Sequence, residues 1–151
     1  MPASALQRID EGHPPAHSCF ERALVVAADD TLGDIWYNLG HVAMGVGDLG
    51  LAYQCFKVAT SIDGSHGEAL TNLAVLEQRK GNDDQALQTY ALVHKQAPHV
   101  HEAFYNAALL HFRSGEYQEA TRLVDQALDQ RPDHHESLEL RRSLRAVLAA
   151  V

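Results

Sequence analysis

From residue 33 to residue 132 the apolar positions follow helical spacing, and the whole pattern returns every 34 residues. Trp36-Tyr37-Asn38-Leu39-Gly40 recurs as Leu70-Thr71-Asn72-Leu73-Ala74 and again as Phe104-Tyr105-Asn106-Ala107-Ala108. Ala52, Ala86 and Ala120 fall in register, and so do Phe56, Tyr90 and Val124. Each copy predicts two helices, the first over about 33–46, 67–80 and 101–114, the second over about 49–62, 83–96 and 117–130. Gly47, Gly81 and Gly115 separate the members of each pair, since glycine takes the left-handed conformation that ends a helix. Asp48 and Asn82 follow as N-caps of the second helices. Pro98 and Pro132 stop the second and third copies, with Gly64 in their place in the first.

Within each first helix, repeat positions four, seven, eight and eleven share one stripe, which in the first copy holds Trp36, Leu39, Gly40 and Ala43. Trp36, Leu70 and Phe104 are core by this spacing. Gly40, Ala74 and Ala108 are placed to face Ala52, Ala86 and Ala120, and small residues at a crossing let two helices approach closely. The paired helices, the small crossing residues, the aromatic or aliphatic anchor and the closing proline resemble the tetratricopeptide repeat. That resemblance implies an all-α, right-handed superhelical solenoid of about eight helices, with repeats at 33–66, 67–100 and 101–134. Residues 16–28 carry the second helix of a repeat only: Ala16, Phe20 and Ala23 match Ala52, Phe56 and Ala59, and the partner helix is missing. Residues 1–15, with Gly12 and Pro14-Pro15, read as poorly ordered. The connection Asp29–Leu32 is two residues longer than the period predicts. At the other end Asp133 can cap a last helix at about 134–150, where Leu140, Leu144, Val147, Leu148 and Val151 have helical spacing. Arg141, Arg142 and Arg145 stand where a fourth repeat would carry its core, so this helix reads as a solvating cap. Solenoids present extended surfaces and seldom reaction centres, so the expected function is to hold another protein.

Composition narrows the partners. The 151 residues are 46% apolar and 21% charged, within the range of one soluble globular domain. A net charge of −8 leaves no Lys/Arg stripe for phosphates, which argues against nucleic acid. No run approaches 18 apolar residues, so no membrane insertion is expected, and Met1–Pro15 lacks the apolar core of a secretory signal. Cys19 and Cys55 occupy equivalent places on successive second helices, roughly 8–10 Å apart. A disulfide needs Cα atoms within about 7 Å, so both read as free thiols in a reducing compartment. Among ten histidines, His99 and His101 form one close pair and His134-His135 another, both near repeat junctions. Neither has the His-x-x-x-His or Cys-joined spacing of a zinc site. No nucleophile, phosphate loop or acid–base pair stands out, so neither catalysis nor a cofactor is expected.

The informative polar residues lie on the other side of the first helix. Position six is about 200° from position four, because each residue turns about 100°. It is asparagine in all three copies: Asn38, Asn72 and Asn106. Position two is a carboxylate in all three: Asp34, Glu68 and Glu102. Residues four apart share a helix face, so a ladder of asparagines beside a row of carboxylates is expected along the concave groove. An amide offers one acceptor and two donors to an extended peptide backbone. Tyr37, His41 and Tyr105 share this face. Asparagine is also a poor helix-interior residue, and hydrogen bonding between neighbouring helices would recur with the same period, so bracing of the stack stays open beside peptide binding. The inner positions lack lysine, and Arg79 and Arg113 stand only at the edge, so an acidic chaperone tail is disfavoured and an extended neutral or basic peptide is expected.

Longer strings carry a second resemblance. Cys19-Phe20-Glu21-Arg22-Ala23-Leu24, the stretch Ile35–Ala43, Leu51-Ala52-Tyr53-Gln54-Cys55-Phe56, the stretch Asn72–Gly81 and Pro132-Asp133-His134 resemble the family of the eighth Bardet–Biedl syndrome protein. The resemblance covers residues 16–151 and corresponds to that family's C-terminal part. It implies a non-catalytic subunit of a multi-protein complex, the BBSome, which moves membrane proteins in and out of cilia. It further implies a cytoplasmic place at the cilium or basal body. Its missing N-terminal repeats make this chain a fragment or short form. The apolar side left open on 16–28, with Phe20 and Leu24, predicts a protein contact there, self-association included.

Overall fold

A computed structural model describes residues 29–150. Seven helices, and no strand, stand among the described residues. They are α1 (Asp29–Gly45), α2 (Leu49–Ile62), α3 (Gly67–Arg79), α4 (Asp83–Gln96), α5 (His101–Arg113), α6 (Tyr117–Gln130) and α7 (His135–Ala149). The expected poorly ordered segment 1–15 and helix 16–28, with Phe20 and Leu24, lie outside the described residues. So does Cys19. The chain divides into two compact units, Met1–Ile62 and Asp63–Val151.

In the first unit α1 pairs with α2. α1 is already helical over 29–32, the stretch read as a connection. Ala52, Cys55, Phe56 and Ala59 of α2 are buried, as are Leu39 and Ala43 of α1. The thiol of Cys55 is free, and burial pushes its pKa up. Phe56 lies over Gly40: a Cβ added there would meet the ring at 2.6 Å, so the glycine makes room for the aromatic rather than for Ala52. Trp36 is half-buried, less enclosed than its core spacing predicted. Val42 is 56% exposed, whereas the residues in its register, Leu76 and Leu110, are 3% and 4% exposed.

In the second unit α3 pairs with α4, α4 with α5, α5 with α6, and α7 closes on α6 and α5. One core runs through it, from Leu70 and Ala74 through Tyr90, Phe104 and Val124 to Leu140 and Leu144. Cap helix α7 buries Ser137, Leu140 and Leu144 and leaves Arg142 and Arg145 exposed.

Each first helix ends the same way. Gly47, Gly81 and Gly115 have φ of 84°, 86° and 81°. Around Gly81 the Gly81 N–H donates to the Gln78 carbonyl at 2.9 Å and the Asn82 N–H to the Glu77 carbonyl at 2.9 Å. These bonds satisfy carbonyls that the helix leaves without partners. The two expected N-caps differ. Asp48 Oδ1 accepts from the Leu51 N–H at 3.0 Å. The Asn82 side chain turns back instead, and its Nδ2 donates to Glu77 Oε2 at 2.8 Å.

Candidate interaction surface

In the first unit, α1 carries Asp34 and Asn38 exposed, and Tyr37 half-buried. Tyr37 and His41, one helical turn apart, are hydrogen-bonded at 2.8 Å between the hydroxyl and Nε2. Their rings meet edge-on at 4.9 Å, and the Phe56 ring lies 5.8 Å from Tyr37 and 6.3 Å from His41. The two side chains form a preset aromatic pair seated on a buried ring, with the orientational freedom of each reduced.

In the second unit, Glu68 and Glu102 are exposed while Asn72, Tyr105 and Asn106 are half-buried. The Asn106 amide, beside the Tyr90 hydroxyl, lowers its pKa against the larger effect of burial. The Tyr90 hydroxyl in turn donates to Gln78 Oε1. A fully buried ring on α4 thus carries a hydroxyl bonded to α3, with α5 alongside. Burial raises the pKa of that hydroxyl, which keeps its proton in place as the donor. Asn106 thus stands where either of the two roles left open by the sequence is within its reach.

Each carboxylate of this unit's row has a histidine beside it. Glu68 lies 3.5 Å from His99 Nε2 and 3.7 Å from His66 Nδ1. Glu102 lies 3.4 Å from His101 Nε2. α7 adds a member that the sequence reading missed: Glu136, at repeat position two, lies 3.2 Å from His134 Nε2. The signal was the 34-residue register itself, masked by arginines at the core positions of that helix. The histidines also shape the helix starts. His66 Nδ1 accepts from the Ala69 N–H at 3.2 Å, and His134 Nδ1 lies 2.6 Å from Ser137 Oγ. The His134 ring meets His101 at 4.8 Å and Tyr105 at 5.3 Å, both edge-on. Burial raises the pKa of Tyr105, with the charge of Glu136 adding to it. Among the described residues no three His, Cys, Asp or Glu side chains converge as metal ligands.

A separate cleft of about 500 Å³ touches none of these residues. It is lined by His94, Lys95, Phe104, Arg122, Gln126 and Asp129 among others. The His94 ring stacks on Phe104 at 4.0 Å, and its buried Nε2 has no partner.

Three family models, each described as a tetratricopeptide repeat, match residues 33–66, 68–99 and 101–134. Human Tetratricopeptide repeat protein 8 is 41% identical over 125 residues, 82% of this chain and 23% of that protein. The chain therefore spans less than a quarter of the relative's length. That relative is the eighth Bardet–Biedl syndrome protein, so the resemblance carried by the sequence strings stands. Among solved structures, the first TPR of Spaghetti (RPAP3), bound to the HSP90 peptide SRMEEVD, superposes with a TM-score of 0.70 at 18% identity. It covers 78% of this chain and 93% of that one. YrrB, described as a TPR protein with an unusual peptide-binding site, gives a TM-score of 0.66 at 28% identity over 93% of this chain and 71% of its own. Among the described residues no helix is long and apolar enough to cross a membrane. Repeats of this kind are protein–protein interaction scaffolds and generally non-catalytic. Three consecutive matches on the helix pairs α1–α2, α3–α4 and α5–α6 settle the assignment: the chain belongs to the tetratricopeptide-repeat family.

Proposed function

We propose that this chain is a subunit module of a BBSome-like assembly, holding neighbouring subunits in the trafficking of membrane proteins at the cilium and basal body. The observation that carries the reading is the 41% identity over 82% of the chain to Tetratricopeptide repeat protein 8. The exposed Val42, whose register equivalents Leu76 and Leu110 are buried in the later repeats, suits a chain that is covered by another subunit. The test is expression of the tagged chain in ciliated cells, followed by size-exclusion chromatography and mass spectrometry. BBSome subunits co-eluting with the chain at high mass are the expected result. Elution as a monomer free of those subunits would overturn the reading.

A second reading, a free-standing adaptor for an extended neutral or basic peptide, is favoured by the exposed carboxylates Asp34, Glu68 and Glu102. In that role Asn38 and Asn72, with Tyr37, His41, Tyr105 and Asn106 nearby in register, would meet the peptide. Asn72→Ala separates binding from bracing. Loss of about 0.5–1.5 kcal/mol in peptide affinity, with an unchanged melting temperature, supports contact with peptide. A large drop in melting temperature at constant affinity shows that Asn72 braces the stack.

A further inference from the structure

We infer that α7 is a proton-released cap: protonation of His134 in mildly acidic solution loosens its docking on α5 and α6 and uncovers the apolar end of the second unit. His134 is the residue that introduces α7, and its ring is wedged between two elements. On one side Nδ1 lies 2.6 Å from Ser137 Oγ, and Ser137 is fully buried. On the other side the ring packs edge-on against His101 and Tyr105 of α5 at 4.8 and 5.3 Å. A neutral imidazole with its proton on Nε2 satisfies this setting. Nε2 faces Glu136 at 3.2 Å, and Nδ1 accepts the hydroxyl proton of Ser137.

Protonation changes three things at once. Nδ1 becomes a donor, so the buried Ser137 hydroxyl has to turn its own proton away from its acceptor. A positive charge appears at the N-terminus of α7, where the helix dipole is already positive. The same charge faces the His101 ring, 4.8 Å away. The charged groups around the ring are divided. Glu136 on α7 and Glu102 on α5 favour the cation, while His101 and Arg131, which follows α6, oppose it. Arg131 is drawn toward Asp133 at 3.4 Å. On α7 itself Glu139 is engaged by His135 at 3.1 Å. Burial is the largest influence and, joined by His101 and Arg131, it holds the imidazole below its ordinary pKa. What α7 covers is apolar: Leu140 and Leu144 share one core with Leu123, Val124 and Ala127 of α6.

The experiment is amide hydrogen exchange on the full chain, read by mass spectrometry at about pH 7.5 and about pH 5.5, the range over which histidine titrates. Rates are corrected for intrinsic exchange and referred to α2, which contains no histidine. The expected result is a several-fold rise in the opening of α7 at the lower pH. The limit is about tenfold for each pK unit by which docking lowers the imidazole. His134→Asn and His134→Gln keep a polar side chain without a titrating group, and their α7 protection is expected to be equal at the two pH values. His135→Asn, at an exposed neighbour, keeps the native response. An α7 whose protection does not change with pH relative to α2 would overturn the inference, and so would a His134→Asn or His134→Gln chain that opens as the native one does.

Discussion

Tyr90 brings three helices together at one oxygen, which donates to Gln78 and has the Asn106 amide beside it, while the ring fills the core. The first copy has Phe56 in this register and the third has Val124, so the polar bridge belongs to the middle of the repeat array alone. Tyr90→Phe keeps the ring and deletes the bridge. A loss of about 1–2 kcal/mol is expected, because two half-buried amides give up a partner. Asn106→Ala is expected to cost about 1 kcal/mol for the same bond. The two losses are not additive, and a double-mutant cycle from denaturation midpoints should return a coupling near the value of either single change. Additive losses would show that Asn106 does not act through Tyr90. The bridge was half legible in the sequence. The recurrence of asparagine at position six showed that the amide has a task, but its partner sits 16 residues back on another helix, at a position that changes from copy to copy.

At the scale of elements, what stops a helix was easier to read than what its polar side chains do. Gly47, Gly81 and Gly115 carry positive φ where the 34-residue register placed them, because the bend needs a left-handed residue once per repeat. Gly81→Ala meets open space, so its cost is conformational only, about 1–2 kcal/mol. Gly40→Ala is steric instead, since the new methyl would press on the buried Phe56 ring, and about 1–3 kcal/mol is expected. Thermal melts of the two variants test both, and a native melting temperature for either would refute its account. α1 is helical over 29–32, where the 34-residue register reads a connection. The Asn82 side chain was misassigned because Glu77, brought alongside by the turn at Gly81, offers it a charged acceptor. There a local contact decides against the average over copies.

The molecule as a whole should be sensitive to mild acid, and the cause lies in histidines rather than in its surplus of carboxylates. Burial lowers the pKa of His94, stacked on Phe104, and of His134, packed beside His101 and Tyr105. An imidazole lowered in the folded chain binds fewer protons there than in the unfolded chain, whose value is about 6.5. The stability gained by keeping it neutral is complete above about pH 6.5 and is lost as pH falls through the folded value. Asp63, bonded by Ser65, and Glu119, bonded by Arg122, are lowered as carboxylates. Their contributions therefore disappear only on further acidification, below about pH 4. The denaturation midpoint of the native chain should fall between about pH 7.5 and about pH 5.5, ahead of any carboxylate titration. His94→Phe keeps the stack on Phe104 and removes a buried Nε2 that has no partner. It should be nearly neutral at about pH 7.5 and more stable than the native chain at about pH 5.5. Combined with His134→Asn, it should flatten the profile over that interval and leave the decline below about pH 4 intact. A native midpoint that does not move over the interval, or a double variant that keeps the native slope, would place the acid sensitivity elsewhere.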